Sequence, residues 1–204
     1  MKFDELVEQL LEGTSPLRTM YHITKMSNAV NIINQDGFVL SVQDTTGDIL
    51  FGSRYQYYMS CARTLTSAYI RDMLKDYHFT VILELDISKL SDKGYVIKPI
   101  HDFKNLNPYG DRDYVVPEKQ ESEDRILSNK RIIPNAKSFI KTINLLHPIG
   151  LADTASQVTT QNFSVRYTIL EALKVFKDSG IPTYVYKEHR FFQRLDKRKA
   201  KLLE

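Results

Sequence analysis

Short runs of apolar, β-branched and aromatic residues recur along the chain and predict β-strands. The clearest run covers residues 78–86, where a continuous apolar centre, Val81-Ile82-Leu83, passes into an alternating end. Because a strand of this kind is covered on both faces, we expect it in the middle of a sheet. The other strands are predicted at residues 20–24, 38–40, 57–62, 95–100, 139–146 and 182–186.

Apolar residues that recur every three or four positions predict helices between these strands. Gly13 ends the first pattern, Ser27 is a candidate N-cap for the second, and Ser179-Gly180 closes the last. The mixture of strands and helices predicts an α+β fold. The predicted helices cover residues 3–12, 27–36, 63–74 and 165–178.

Two long polar segments interrupt the predicted elements. Residues 41–54 contain Gly47 and Gly52, and residues 101–117 lead directly to an acidic stretch at residues 120–126. Both segments predict loops, and loops of this length near a site often act as lids.

The chain of 204 residues is long enough to bury one substantial core, and we expect a single domain. Residues 1–18 are predicted to form an N-terminal helix and linker, residues 19–186 the core, and residues 187–204 a basic C-terminal helix. Basic residues with two aromatics suit phosphate contact and base stacking, but they are also typical of a solvated helix with one apolar stripe.

Composition narrows the class of protein. No apolar run reaches transmembrane length, and acidic residues stand at the start where a signal peptide carries basic ones, so we expect a cytoplasmic protein without a membrane partner. A single cysteine, Cys61, excludes an internal disulfide and leaves no cluster with zinc spacing, so no metal is expected. The net charge of +3 is modest.

The acidic stretch carries the first candidate chemistry. In a strand, Glu121 and Glu123 lie on one face, so two carboxylates point at one place. Like charges at short range raise one another's pKa and call for a cation or a ligand. The alternative is an exposed acidic turn.

Two further features precede this stretch. His22 and Thr24 share one face of the first predicted strand, and Tyr58 and Tyr69 flank a predicted junction between strand and helix, where unpaired backbone donors gather. The alternatives are a structural histidine and two core aromatics.

Taken in order, these motifs resemble those of the His-Tyr-Glu ADP-ribosyltransferase superfamily. Tyr21-His22-Ile23-Thr24 is similar to the first-strand motif, with Ile23 where a glycine is usual. Tyr58 and Tyr69, with Thr66 before the second tyrosine, resemble the second motif, and Glu121-Ser122-Glu123 resembles the two-glutamate form of the third. The acidic run and the later Ile133-Pro134-Asn135 also resemble small bacteriophage proteins.

The resemblance implies a mixed, split β-sheet flanked by short helices, with NAD as the substrate. It implies that Glu123 holds the reacting ribose and its developing positive charge, while Glu121 orients or deprotonates the acceptor. Tyr69 stacks on nicotinamide, and Thr66 and the Ile23 backbone hold its carboxamide. The remaining NAD-binding residues that it implies are His22 at the adenosine ribose, and Thr24 and Tyr58. Arg63, at the start of a predicted helix, is a candidate partner for the pyrophosphate.

The function expected from this resemblance is NAD-dependent transfer of ADP-ribose to a macromolecule, as a phage or toxin-type effector in the host cytoplasm. A protein acceptor is favoured over nucleic acid, because the net charge is small and no nucleic-acid motif is present. Two alternatives stay open: an NAD glycohydrolase or a regulator that binds NAD or ADP-ribose, and a non-catalytic structural or interaction protein. Nothing in the sequence predicts the oligomeric state.

Overall fold

The computed structural model describes residues 19–42, 55–65, 70, 73–74, 79–100, 123–146 and 169–203. The strands are β1 (Thr19–Lys25), β2 (Gly37–Val39), β3 (Ser41–Val42), β4 (Tyr57–Ala62), β5 (Phe79–Asp86), β6 (Val96–Ile100), β7 (Glu123–Ser128), β8 (Ile132–Pro134), β9 (Ile140–Leu146), β10 (Thr183–Tyr186) and β11 (Ala200–Leu202). The helices are α1 (Met26–Gln35), α2 (Ile87–Asp92), α3 (Ala136–Phe139), α4 (Ile169–Asp178), α5 (His189–Phe192) and a 3-10 turn (Lys197–Lys199).

One large sheet of nine strands organises the described residues. Its order is β11-β10-β9-β5-β1-β4-β7-β6, with β3 beside β4, and β2 and β8 form a separate pair. Neighbouring strands are antiparallel except β9 and β10, which are parallel. The structure confirms an α+β fold, and it confirms that β5 lies in the middle of the sheet. None of the described helices is long and apolar enough to cross a membrane.

The sheet has a hydrophobic core on each face. Alternate residues of β5 belong to different cores: Leu83 belongs to the first core and Ile82 to the second. Helices α1, α3 and α4 contribute buried residues to the first core, whereas buried Phe192 of α5 belongs to the second. The two cores are therefore covered by different parts of the chain.

Helix α1 continues directly from β1, and the predicted N-cap at Ser27 is wrong. Lys25 is the cap residue, and its side chain makes no capping hydrogen bond. Ser27 lies in the first turn, because the chain changes from strand to helix without an intervening loop. The helix ends at Asp36 in the left-handed conformation (φ 47°), where its backbone N–H reaches the Ile32 and Ile33 carbonyls.

Two further predictions about helices need correction. Arg63, Thr64 and Leu65 form bends and a turn, so a helix does not begin at Arg63; Ile70, Met73 and Leu74 are helical. Residues 187–204 do not form one helix but contain α5, the 3-10 turn and β11. The predicted N-terminal helix at residues 3–12 lies outside the described residues.

Tertiary contacts explain the different C-terminal structure. Phe192 is fully buried and packs edge to face against Tyr186, with 5.7 Å between ring centroids. Leu195 then adopts a positive φ of 44°, and β11 pairs with β10 at the edge of the sheet. Burial of Phe192 and strand pairing outweigh the helix propensity of the basic residues.

Candidate functional site

Three neighbouring strands bring the predicted motifs together. His22 lies on β1, Tyr58 on β4 and Glu123 on β7, and these strands are consecutive in the sheet. Ala62 of β4 pairs with Tyr21 on one side and with Glu123 on the other. Because adjacent strands are about 4.8 Å apart, the backbones of Tyr21 and Glu123 are separated by about 10 Å.

Strands β1 and β4 are joined by backbone pairing at one end and by a side chain further along. Within the described residues of the two strands, their ladder consists of the single pair Tyr21 and Ala62. Beyond that pair, the His22 side chain connects the strands through its Nδ1, 2.8 Å from the Ser60 carbonyl oxygen. A carbonyl can only accept, so Nδ1 carries the hydrogen and Nε2 is left as an acceptor.

A cavity of about 560 Å³ adjoins this contact, a size suited to a nucleotide-sized ligand. Its apolar side includes Ile23, Ile32 and Phe38, and its polar side includes hydroxyl, amide and imidazole groups. Among the described lining residues there is no Asp, Glu, Lys or Arg. The lining residues are His22, Ile23, Thr24, Asn28, Asn31, Ile32, Gln35, Gly37, Phe38, Val39, Ser41, Tyr58, Met59, Ser60 and Met73.

His22 adds no charge to this cavity near neutral pH. Burial of the ring lowers the pKa of His22 below its ordinary value, and the Ser60 carbonyl, which favours the protonated form, offsets this shift only in part. The cavity is therefore suited to a neutral group that offers hydrogen bonds and a flat surface, such as a nucleoside, rather than to a phosphate.

The lowered pKa of His22 predicts a pH-dependent stability. Above about pH 6.5 the histidine is neutral in both states, whereas below it the unfolded chain takes up a proton first. The free energy of unfolding should therefore fall as the pH falls below 6.5, by at most about 1.4 kcal/mol per pH unit. His22→Gln should reduce this slope in urea unfolding between pH 7.5 and 5.

The other described histidine provides the control. His189 begins α5 and does not line the cavity. His189→Gln is the matched substitution outside the cavity, and a slope reduced equally in both variants would not assign the pH dependence to His22. A slope equal in the original protein and in His22→Gln would exclude His22 as its source.

Tyr58 reaches the cavity with one side of its ring already occupied. The guanidinium carbon of Arg125 lies 4.0 Å from the ring centroid, and Arg125 is only 5% exposed. This cation–π contact fixes the ring and leaves a single face for a ligand.

Arg63, predicted to bind a pyrophosphate, lies outside the cavity lining and is paired with Asp124. Its Nε lies 2.9 Å and 2.8 Å from the two carboxylate oxygens, and its Nη2 lies 2.6 Å from Oδ1. The Asp124 side chain is 1% exposed, whereas that of Arg63 is 38% exposed. Since Arg63 follows Ala62 and Asp124 follows Glu123, the ion pair closes beside the Ala62 and Glu123 pair.

The structure thus brings some of the predicted site residues close together. His22, Ile23, Thr24 and Tyr58 line one cavity, and Arg63 lies next to the strand that Glu123 begins. The predicted residues that lie outside the described part of the chain are Thr66, Tyr69 and Glu121.

Sequence reasoning missed three amides on α1. Asn28, Asn31 and Gln35 line the cavity, are exposed, and make no side-chain hydrogen bond within the described part of the chain. Their spacing of three and four residues places them on one side of the helix. That spacing is visible in the sequence, but the side of the helix that faces β4 is not.

A scan of protein-family models and searches of curated proteins and of solved structures found no match to this chain.

Proposed function

We propose that this protein is an NAD-dependent ADP-ribosyltransferase. The observation that carries the proposal is the neutral cavity between β1 and β4, which contains His22 and Tyr58 and lies next to the strand begun by Glu123. The resemblance in sequence supplied these three residues from widely separated parts of the chain. Their adjacency in one sheet supports reading them as one site.

The chemistry of the cavity supports a nucleoside as its ligand. The Nε2 acceptor of neutral His22 is suited to a ribose hydroxyl, and the free face of Tyr58 is suited to a flat ring. The amides of Asn28, Asn31 and Gln35 offer paired donors and acceptors, which match the edge of a base. NAD contains two nucleosides, and one of them would occupy this cavity.

The proposed reaction breaks the bond between the nicotinamide nitrogen and C1′ of its ribose. The bonding electrons leave with nicotinamide, which becomes neutral, and positive charge develops on the ribose. The Glu123 carboxylate stabilises that charge, and a nucleophilic group of the acceptor forms the new bond to C1′. Glu121 takes the proton that the acceptor loses.

The test uses NAD labelled in its adenylate part, incubated with the purified protein and cell lysate. We expect a labelled macromolecule, and treatment with protease or nuclease identifies its class. Release of nicotinamide without a labelled macromolecule would instead identify an NAD glycohydrolase. No release, together with an unchanged melting temperature at millimolar NAD, would leave a non-catalytic protein.

The amides of α1 allow a matched pair of variants. Asn31→Ala removes a cavity amide and should raise the Michaelis constant for NAD about threefold to tenfold, the value of one hydrogen bond, with kcat nearly unchanged. Asn34 is exposed on the same helix but does not line the cavity. Asn34→Ala should therefore leave both constants unchanged, and equal effects of the two variants would remove α1 from the binding site.

A further inference from the structure

The C-terminal segment, defined as residues 187–203, concentrates the positive charge of the protein. It has two acidic residues, Glu188 and Asp196, although the whole chain has a net charge of only +3. The rest of the chain is therefore slightly negative. The basic residues of the segment are Lys187, Arg190, Arg194, Lys197, Arg198, Lys199 and Lys201.

These charges stand on a folded surface rather than on a free tail. Phe192 anchors the segment in the second core, β11 pairs with β10, and the Leu203 N–H donates to the Thr183 carbonyl at 2.8 Å. Lys197 also reaches Glu84 of β5, 3.2 Å away. A partner would meet charges that are already held in place, which lowers the entropy cost of binding.

Four of the cations are available to a partner. Arg190 pairs with Glu188, Arg198 with Asp196 and Lys197 with Glu84. The others are exposed and form no ion pair within the described part of the chain. They are Lys187, Arg194, Lys199 and Lys201. Lys201 pairs with Val185 of the first core, so it lies on the opposite face of the sheet from Phe191, and the other three are left for a partner on the side of Phe191.

An aromatic ring lies between cations on this surface. The Phe191 ring is half-buried, the Arg190 guanidinium carbon lies 4.7 Å from its centroid, and Lys199 Nζ lies 6.0 Å from it. The Arg190 guanidinium over the ring is itself a flat, charged surface on which a base can stack, and the neighbouring cations can contact its phosphates. A purely acidic partner needs the cations but not the ring.

The surface also borders the strands of the proposed site. Lys197 contacts Glu84, whose strand partner is Tyr21, and from Tyr21 the row of partners continues through Ala62 to Glu123. Three strand spacings separate Glu84 from Glu123, about 14 Å between their backbones.

We propose that the C-terminal segment binds single-stranded nucleic acid, with a base on the stacked pair Arg190 and Phe191 and phosphates on Lys187, Arg194 and Lys199. This inference does not depend on the proposed reaction, because it concerns binding alone. It changes one expectation from the sequence: the small net charge favoured a protein acceptor, but the excess positive charge lies in one folded segment.

The experiment measures fluorescence anisotropy of a labelled 20-nucleotide oligo-dT and of oligo-U with the full-length chain. Contact with about three phosphates predicts a slope near −2 for log K against log salt between 50 and 200 mM. Phe191→Ala should weaken binding about fivefold to 100-fold at constant slope. Arg194→Ala with Lys199→Ala should reduce the steepness of the slope by about 1.4, the value of two phosphate contacts on a single strand.

The control is a double substitution on the other side of the sheet. Lys174 and Lys177 are exposed on α4, which contributes to the first core. Lys174→Ala with Lys177→Ala changes the net charge as much as the paired substitution at Arg194 and Lys199 and should leave binding unchanged. Equal losses in the two double variants would overturn the proposal, because they would indicate attraction by net charge alone.

Two other outcomes would also overturn it. One is absence of binding to both oligonucleotides at 50 mM salt. The other is binding to polyglutamate as tight as to oligo-dT and insensitive to Phe191→Ala, which would identify an acidic protein as the partner. If Phe191→Ala lowers the melting temperature, the exposed pair Arg194 and Lys199 still decides the result. Removal of the segment is not a suitable test, because it deletes Phe192 from the second core.

Discussion

Glu123→Gln is expected to reduce ADP-ribosyl transfer about 100-fold to 1,000-fold while NAD still binds. The proposed role of the carboxylate is to stabilise positive charge that exists mainly in the transition state, and removal of one such electrostatic group typically costs this much in kcat. The amide keeps the size of the side chain and its capacity to accept a hydrogen bond, so ground-state binding should change little. Single-turnover transfer and the NAD dissociation constant measure the two quantities separately.

Two further variants test whether the effect is specific to the proposed role of Glu123. Glu121→Ala should reduce transfer more than slow NAD hydrolysis, because hydrolysis needs only water and Glu123. Glu171→Gln, at an exposed position of α4, should alter neither activity. Transfer at the original rate in Glu123→Gln would remove Glu123 from the mechanism, whatever its effect on hydrolysis.

The strands were predictable because their pattern is local. The short run at residues 57–62 and the apolar centre at residues 78–86 predicted β4 and β5 nearly at their observed bounds. The end of α4 was also predictable, since Gly180 adopts a φ of 72° directly after Ser179. The C-terminal segment was not, because Phe192 is packed against Tyr186 and β11 pairs with β10, and neither contact leaves a local signal.

The candidate site also contains residues that a local sequence pattern indicates and partners that it does not. His22, Thr24 and Tyr58 could be singled out from short sequence patterns, and the sheet brings them to one cavity. The Ser60 carbonyl that fixes the tautomer of His22 is 38 residues away in sequence, and Asp124 is 61 residues from Arg63. A sequence pattern gives residue types at short spacing, whereas these partners are set by strand register.

Strand register also places Arg63 beside the buried Asp124, so we expect this ion pair to contribute to the stability of the protein. Arg63→Met should lower the free energy of unfolding by about 2–4 kcal/mol, somewhat less than a fully buried pair, because Arg63 is 38% exposed. The substitution withdraws a guanidinium that contacts both oxygens of a carboxylate with 1% exposure. Arg63→Lys retains the charge but not the two-point contact, and it should lower the free energy of unfolding by less than Arg63→Met does. Urea unfolding of the original protein, Arg63→Lys and Arg63→Met measures this order of stability.

The same pair should affect the proposed reaction through the position of Glu123. Arg63 and Asp124 immediately follow the partners Ala62 and Glu123, so their contact joins β4 and β7 where β7 begins. If Arg63 acts by holding this end of β7, Arg63→Met should lower kcat more than it raises the Michaelis constant for NAD at a temperature where the variant is folded. A larger effect on the Michaelis constant would instead indicate contact with the NAD pyrophosphate.

An exposed pair of the same residue types provides the control for that measurement. Arg198 and Asp196 are 3.0 Å apart in the C-terminal segment, with Arg198 89% exposed. Arg198→Met should leave both stability and kcat unchanged, because an exposed pair is screened by water and gains little from its contact. Equal effects at Arg63 and Arg198 would show that loss of a positive charge, rather than the contact between β4 and β7, is responsible. A loss confined to Arg63→Met, partly recovered in Arg63→Lys, is the result that the burial of Asp124 and the register of β7 predict.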